Sequence, residues 1–138
     1  MALTDNDFRN ILTRTKTIAL VGASANTSRP SHMVGQFLTD RGYRVIPVNP
    51  GLAGQVMFGE TVVAELSDVV GPIDMVDIFR SSDAVPAIVD AALKLDGVQT
   101  IWMQLGVAHE EAAKKARAAG LDVVENHCPK IEIARLGL

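Results

Sequence analysis

The stretch from Ile18 to Val34, IALVGASANTSRPSHMV, decides the fold. A short run rich in β-favouring residues ends at Gly22 and crosses a polar turn to Pro30. From there Met33, Val34, Phe37 and Leu38 recur at helical spacing and form the expected buried stripe of a helix. Proline suits the first helical turn, where its missing N–H would be unpaired anyway, and Gly42 supplies the left-handed stop. Strand, glycine turn and helix open many nucleotide-binding folds. There the first amides of the helix and its positive dipole end attract an anion.

The same alternation continues along the chain. Apolar runs at Thr17–Val21, Arg44–Val48, Asp74–Phe79, Thr100–Gln104 and Leu121–Val124 read as strands. Their near-continuous apolarity marks strands covered on both faces, as in a parallel sheet. Between them lie helical patterns. Thr4, with Asp7 three residues on, resembles an N-terminal cap for a helix carrying Phe8, Ile11 and Leu12. Ser81 or Ser82 is expected to cap a helix running to about Leu95, and another spans His109 to Ala119. Pro47 predicts a bulge or an irregular edge in the second strand. Gly51–Val70 is read as a loop with one short strand or helical turn, and the tail from Pro129 as a helical turn or two.

The expected fold is α/β: a three-layer, Rossmann-like open parallel sheet of about five strands with helices on both faces. With 138 residues, 48% hydrophobic, and no linker-like tract, residues 1–138 are expected to form one domain. Thirteen basic against sixteen acidic residues leave a net charge of −3, which excludes a general basic field for nucleic acid or an anionic membrane. The single cysteine, Cys128, suits a reducing compartment, and no signal peptide or membrane span is evident, so a cytoplasmic protein is expected. Three histidines and one cysteine show no metal-ligand spacing.

In such sheets ligands sit beyond the carboxyl ends of the strands. The residues that follow the strands are Gly22, Ala23 and Ser24, then Asn49 and Pro50, Phe79 and Arg80, Gln104, Leu105 and Gly106, and Asn126 to Cys128. Arg29, Pro30 and Ser31 join the first group at the helix start, and the Arg29 guanidinium fork suits phosphate oxygens. The dinucleotide fingerprint fails twice. Ser24 and Thr27 stand where the second and third glycines belong, and the second strand ends in Asn49-Pro50 where a ribose-binding acid is usual.

VGAS in the first loop, SRPSHMV, GYRVIPVNP, DIFR, IWMQLGV and the late Cys128 together resemble the small single-domain CoA-binding proteins, which are similar to the CoA-binding domain of the succinyl-CoA synthetase alpha subunit. The likeness runs from about Phe8 to Leu136. It implies a Rossmann-like fold that binds coenzyme A or an acyl-CoA. Gly22–Ser31 would lie at the phosphates, Asn49-Pro50 beside the adenine, and Phe79 and Arg80 around the ligand. Gln104 and Gly106 would wall the pantetheine channel. It implies binding without catalysis, because the ligase relatives need a phosphorylated histidine and further domains. A homodimer is compatible with this reading.

Each residue also has a plainer role. Arg80 pairs with Asp77 or Asp83, Trp102 is core, and Cys128 is a buried filler or a reactive thiol able to form a mixed disulfide with CoA. Two other functions compete: an NAD(P)-binding oxidoreductase, and an interaction subunit with a vestigial cleft that uses Leu52–Phe58 as an exposed apolar patch.

Overall fold

The structure is a computed structural model and describes residues 2–138. In chain order the elements are α1 (Asp5–Arg14), β1 (Thr17–Val21), α2 (Pro30–Asp40), β2 (Arg44–Val48), β3 (Val56–Met57), β4 (Glu60–Thr61), β5 (Met75–Ile78), α3 (Val85–Ala92), β6 (Thr100–Met103), α4 (Glu110–Ala118), β7 (Asp122–Val124) and α5 (Pro129–Leu136). Five strands pair in parallel in the order β2-β1-β5-β6-β7, and β3 with β4 makes a small antiparallel hairpin.

Side-chain alternation along the strands builds two cores. Ile18, Leu20, Val45, Met75, Trp102 and Val124 pack with residues of α1, α2 and α5. Ala19, Val21, Ile46, Val48, Val76, Ile78, Ile101, Met103 and Val123 pack with α3 and α4. The expected three layers are present because each strand carries apolar residues on both faces. Thr4 and Asp7 form the expected capping box, at 3.2 and 2.8 Å.

Several boundaries differ from the sequence reading. Both β5 and β6 stop one residue early, which releases Phe79 and Gln104 into the rim. Neither Ser81 nor Ser82 caps α3 through its side chain. A 3-10 turn over Ser82–Ala84 precedes the helix, which ends at Ala92, and Ser82 Oγ instead accepts the Ala108 N–H at 3.1 Å. On α2 the buried positions are Ser31, Val34, Gly35 and Leu38, while Met33 is 47% exposed and Phe37 half-buried.

Pro47 causes no bulge. The β1–β2 register is unbroken from Thr17↔Arg44 to Val21↔Val48. The Pro47 carbonyl faces the outer edge, where it accepts the Val63 N–H at 3.1 Å, so the missing donor also points away from β1. That outer edge is covered by the chain after β4, through a parallel bridge between Val48 and Val63.

The 51–70 segment holds more structure than one strand or turn: the hairpin plus 3-10 turns at Pro50–Leu52 and Leu66–Asp68. Phe58 at the hairpin tip, with φ 57°, lies over Gly35 of α2, where an added Cβ would come within 2.3 Å of the ring. The His32 ring also packs on Phe58, at 5.4 Å between centroids. Gly35→Ala is therefore expected to swing Phe58 out and loosen the hairpin at a cost of about 1 kcal/mol, most of the strain being relieved by ring movement. Hydrogen exchange should show faster exchange across residues 55–62. Unchanged protection there would refute this.

Candidate functional site

From β1 the chain moves to β2 on one side and then crosses back to β5 on the other, so the sheet order reverses at the carboxyl end of β1. A crevice is expected at that switch point. A cavity of about 820 Å³ opens there, within the range of small-molecule sites. Gly22, Ala23, Ser24, Arg29, Pro30, Ser31, Asn49, Pro50, Phe79, Arg80 and Gln104 all line it. Gly106 does not. It sits in a left-handed turn with φ 82°, its N–H held by Asn126 Oδ1 at 2.7 Å.

The first loop divides into a structural part and a receptive part. The amides of Gly22 and Ala23 donate to the Val48 carbonyl at 3.1 and 3.2 Å, so they tie β1 to β2 and are not free for a phosphate. From Ser24 onward the loop braces itself. Ser24 Oγ accepts the Asn26 N–H at 3.1 Å, Asn26 Oδ1 accepts the Ser28 N–H at 3.0 Å, and His32 Nδ1 meets the Ser24 carbonyl at 3.0 Å. Arg29 then stands at the N-cap of α2 without a side-chain capping bond, followed by Pro30 and the buried Ser31. An anion placed there meets the dipole of an 11-residue helix and the Arg29 guanidinium.

Asn49 lines the cavity, but both ends of its amide are committed. Nδ2 donates to the Ala23 carbonyl at 2.7 Å, and Oδ1 accepts the Gly51 N–H at 2.8 Å. It therefore locks the β2 turn to the first loop. Arg80 is exposed at the rim and forms none of the ion pairs found among the described residues. Asp83 has its carboxyl held below the usual range mainly by a hydrogen bond with Ser81, with the Arg80 charge a smaller contribution. Asp77 is fully buried and unpaired, so it does not bind Arg80. The charged residues of the lining are thus Arg29, Arg80 and Glu65, a balance that favours an anion.

One wall was not anticipated. Ala64–Ser67, after the hairpin, faces Ala87, Ile88 and Ala91 of α3, and Val107 extends the apolar lining beyond Leu105, which the rim reading already includes. Helix α3 is visible in sequence, but which of its residues reach the cavity depends on its packing against the Leu66–Asp68 turn.

The remaining candidates lie elsewhere. Cys128 is 6% exposed, in the core against α1 and α2, and does not line the cavity. Trp102 is fully buried, as expected, with its indole N–H on the His127 carbonyl at 2.8 Å. The proposed apolar patch is largely consumed by packing: Met57 is buried, Leu52 and Phe58 are half-buried, and Val56 alone of these is exposed. Among the described residues no cluster could hold a metal ion, and no helix is long and apolar enough to cross a membrane.

Known proteins share this fold. The family model described as a CoA binding domain matches residues 16–134. The YneT protein of Bacillus subtilis (strain 168) is 37% identical over 125 residues, which covers 91% of this chain and 90% of that protein. A Thermus thermophilus protein of known structure superposes with a TM-score of 0.92 at 40% identity, covering 97% of this chain and 99% of the other. A Pyrococcus horikoshii protein gives 0.92 at 39% identity, covering 99% and 94%.

Proposed function

Because the chain belongs to the CoA-binding domain family, we propose that it binds coenzyme A or an acyl-CoA at the carboxyl rim of its sheet and acts as a binding or regulatory module without catalysis of its own. The observation that carries this reading is the cavity at the switch point, whose lining holds both Arg29, at the start of α2, and Arg80, after β5. Two cations in one lining suit a ligand that carries phosphate. The apolar wall of Ala64, Leu66, Ile88 and Ala91 offers flat surface to the adenine, beside Pro50. A cytoplasmic site of action is part of the same reading, consistent with the lone cysteine.

A competing reading, an NAD(P)-binding protein, is favoured by one observation. Glu65 lines the cavity close to the Val48↔Val63 bridge at the end of β2, where an acid can hold ribose hydroxyls. Calorimetric titration with CoA, acetyl-CoA, NAD and NADP separates the two, and selective binding of NAD would sink the CoA reading. If CoA binds, Arg29→Ala and Arg80→Ala should each weaken it about tenfold, the value of one charge-assisted contact. The salt dependence of binding should also fall in each variant. A wild-type affinity in both variants would show that the phosphates lie elsewhere.

A further inference from the structure

Two consecutive carbonyls at the start of the first loop are held by side chains from different elements. Asn49, at the end of β2, donates Nδ2 to the Ala23 carbonyl at 2.7 Å, and His32, in the first turn of α2, meets the Ser24 carbonyl through Nδ1 at 3.0 Å. A carbonyl oxygen only accepts, so Nδ1 carries the hydrogen. Because the peptide is planar, holding the Ser24 carbonyl also fixes the direction of the following Ala25 N–H. The imidazole that does this is half-buried, outside the cavity lining, with the ring of Phe58 at 5.4 Å between centroids.

Phe58 occupies an unfavourable place for its own backbone. Met57 pairs with Glu60, so Phe58 and Gly59 form a two-residue turn, and both have positive φ, 57° and 75°. Asparagine or glycine suits the first position of such a turn, whereas a bulky ring there is strained. Strain of this kind persists only where surrounding contacts enforce it. Here the ring fills the slot over Gly35 and packs on His32, while the buried Met57 and the Arg44–Glu60 ion pair at 2.9 Å hold the hairpin in place.

We propose that His32 is a positioning residue for the anion-binding loop and that the hairpin tip sets it: Phe58 orients the imidazole, and its Nδ1–H holds the Ser24–Ala25 peptide ready for the ligand. This inference rests on the CoA reading above. Neither His32 nor Phe58 lines the cavity, so both act through the order of the loop. Ser24, Arg29, Pro30 and Ser31 do line it, and the loop that carries them begins at the held carbonyl. A loop ordered before binding takes less from the ligand's binding energy than one ordered by it.

The test is calorimetric titration of CoA into the wild type and its variants at these two positions. His32→Phe keeps an aromatic ring against Phe58 and removes the donor, and CoA affinity should fall about fivefold. His32→Asn places an amide N–H as far from the backbone as Nδ1, so its affinity should stay within about twofold of wild type. Phe58→Ala should weaken CoA about threefold in the wild-type chain and no further in the His32→Phe chain, since both residues act through one contact. A merely structural histidine would lose equally as Phe and as Asn, and independent residues would give losses that multiply. Either result overturns the proposal, as does wild-type affinity in His32→Phe. Should His32→Phe fail to fold, His32→Gln, which carries the same amide one carbon farther out, must weaken CoA where His32→Asn does not. Wild-type protein that binds no CoA refutes the CoA reading itself, whereas wild-type binding with indifferent variants refutes only the role of His32.

Discussion

Gly22→Ala is expected to lower stability by about 3 kcal/mol, or roughly 10 °C in melting temperature for a chain of this size. Two penalties add. The residue has φ 91°, where a Cβ is strained, at about 1–2 kcal/mol. The added Cβ would also sit 2.7 Å from the Phe79 carbonyl oxygen and 3.0 Å from its carbon. That carbonyl cannot swing aside as a side-chain tip could, because the Phe79 N–H holds the same peptide segment to the Val21 carbonyl at 2.8 Å. Relief requires β1 and β5 to separate at the switch point, which also widens the cavity between Arg29 and Arg80. Gly42→Ala is the control. Its φ is 96°, but nothing lies within 4 Å of its would-be Cβ, so it should show the conformational cost alone. Urea unfolding of both variants measures the difference. If Gly22→Ala proves no worse than Gly42→Ala, the close approach of Phe79 has no energetic weight.

That pair of glycines also shows what sequence could and could not reveal. The glycine turn was legible, yet its purpose was not. In a dinucleotide fold the glycines admit a pyrophosphate, whereas here Gly22 admits the end of a neighbouring strand and its amide serves β2. The bounds of β1 and β2 were readable because their apolar runs are flanked by polar residues and stop at a glycine or an Asn-Pro turn. The rim followed from topology, so nearly all candidate residues do meet in one cavity. The hairpin was not legible. Its strands are two residues each, and its anchor is Phe58 in a slot created by Gly35, a contact 23 positions away in sequence. Nor could sequence show that the Asn49 amide is spent on the Ala23 carbonyl and the Gly51 amide. The sequence offers Asp77 or Asp83 as a partner for Arg80, yet strand alternation puts Asp77 on the Met75 face, between Leu20 and Trp102 in the neighbouring strands.

The consequence of that placement is the other large effect. Asp77 is fully buried, both carboxylate oxygens lack partners among the described residues, and burial raises its carboxyl well above its ordinary value of 3.8. The folded chain therefore keeps a proton that the unfolded chain releases. Below the unfolded value both states are protonated and Asp77 imposes no pH dependence. Above it the unfolded state ionises freely, and stability falls with rising pH by about 1.4 kcal/mol per pH unit until the folded carboxyl itself ionises. Asp77→Asn keeps the size and polarity of the protonated acid while removing the titration. The variant should match wild type near pH 4 and exceed it increasingly toward neutrality, since an amide has no proton to lose. Urea unfolding at intervals from pH 4 to 8 gives the two curves. Parallel curves would mean that the Asp77 carboxylate is accommodated in the folded sheet, by water or by movement of α2 and α5, and that the core around Leu20 and Trp102 is less closed than its burial indicates.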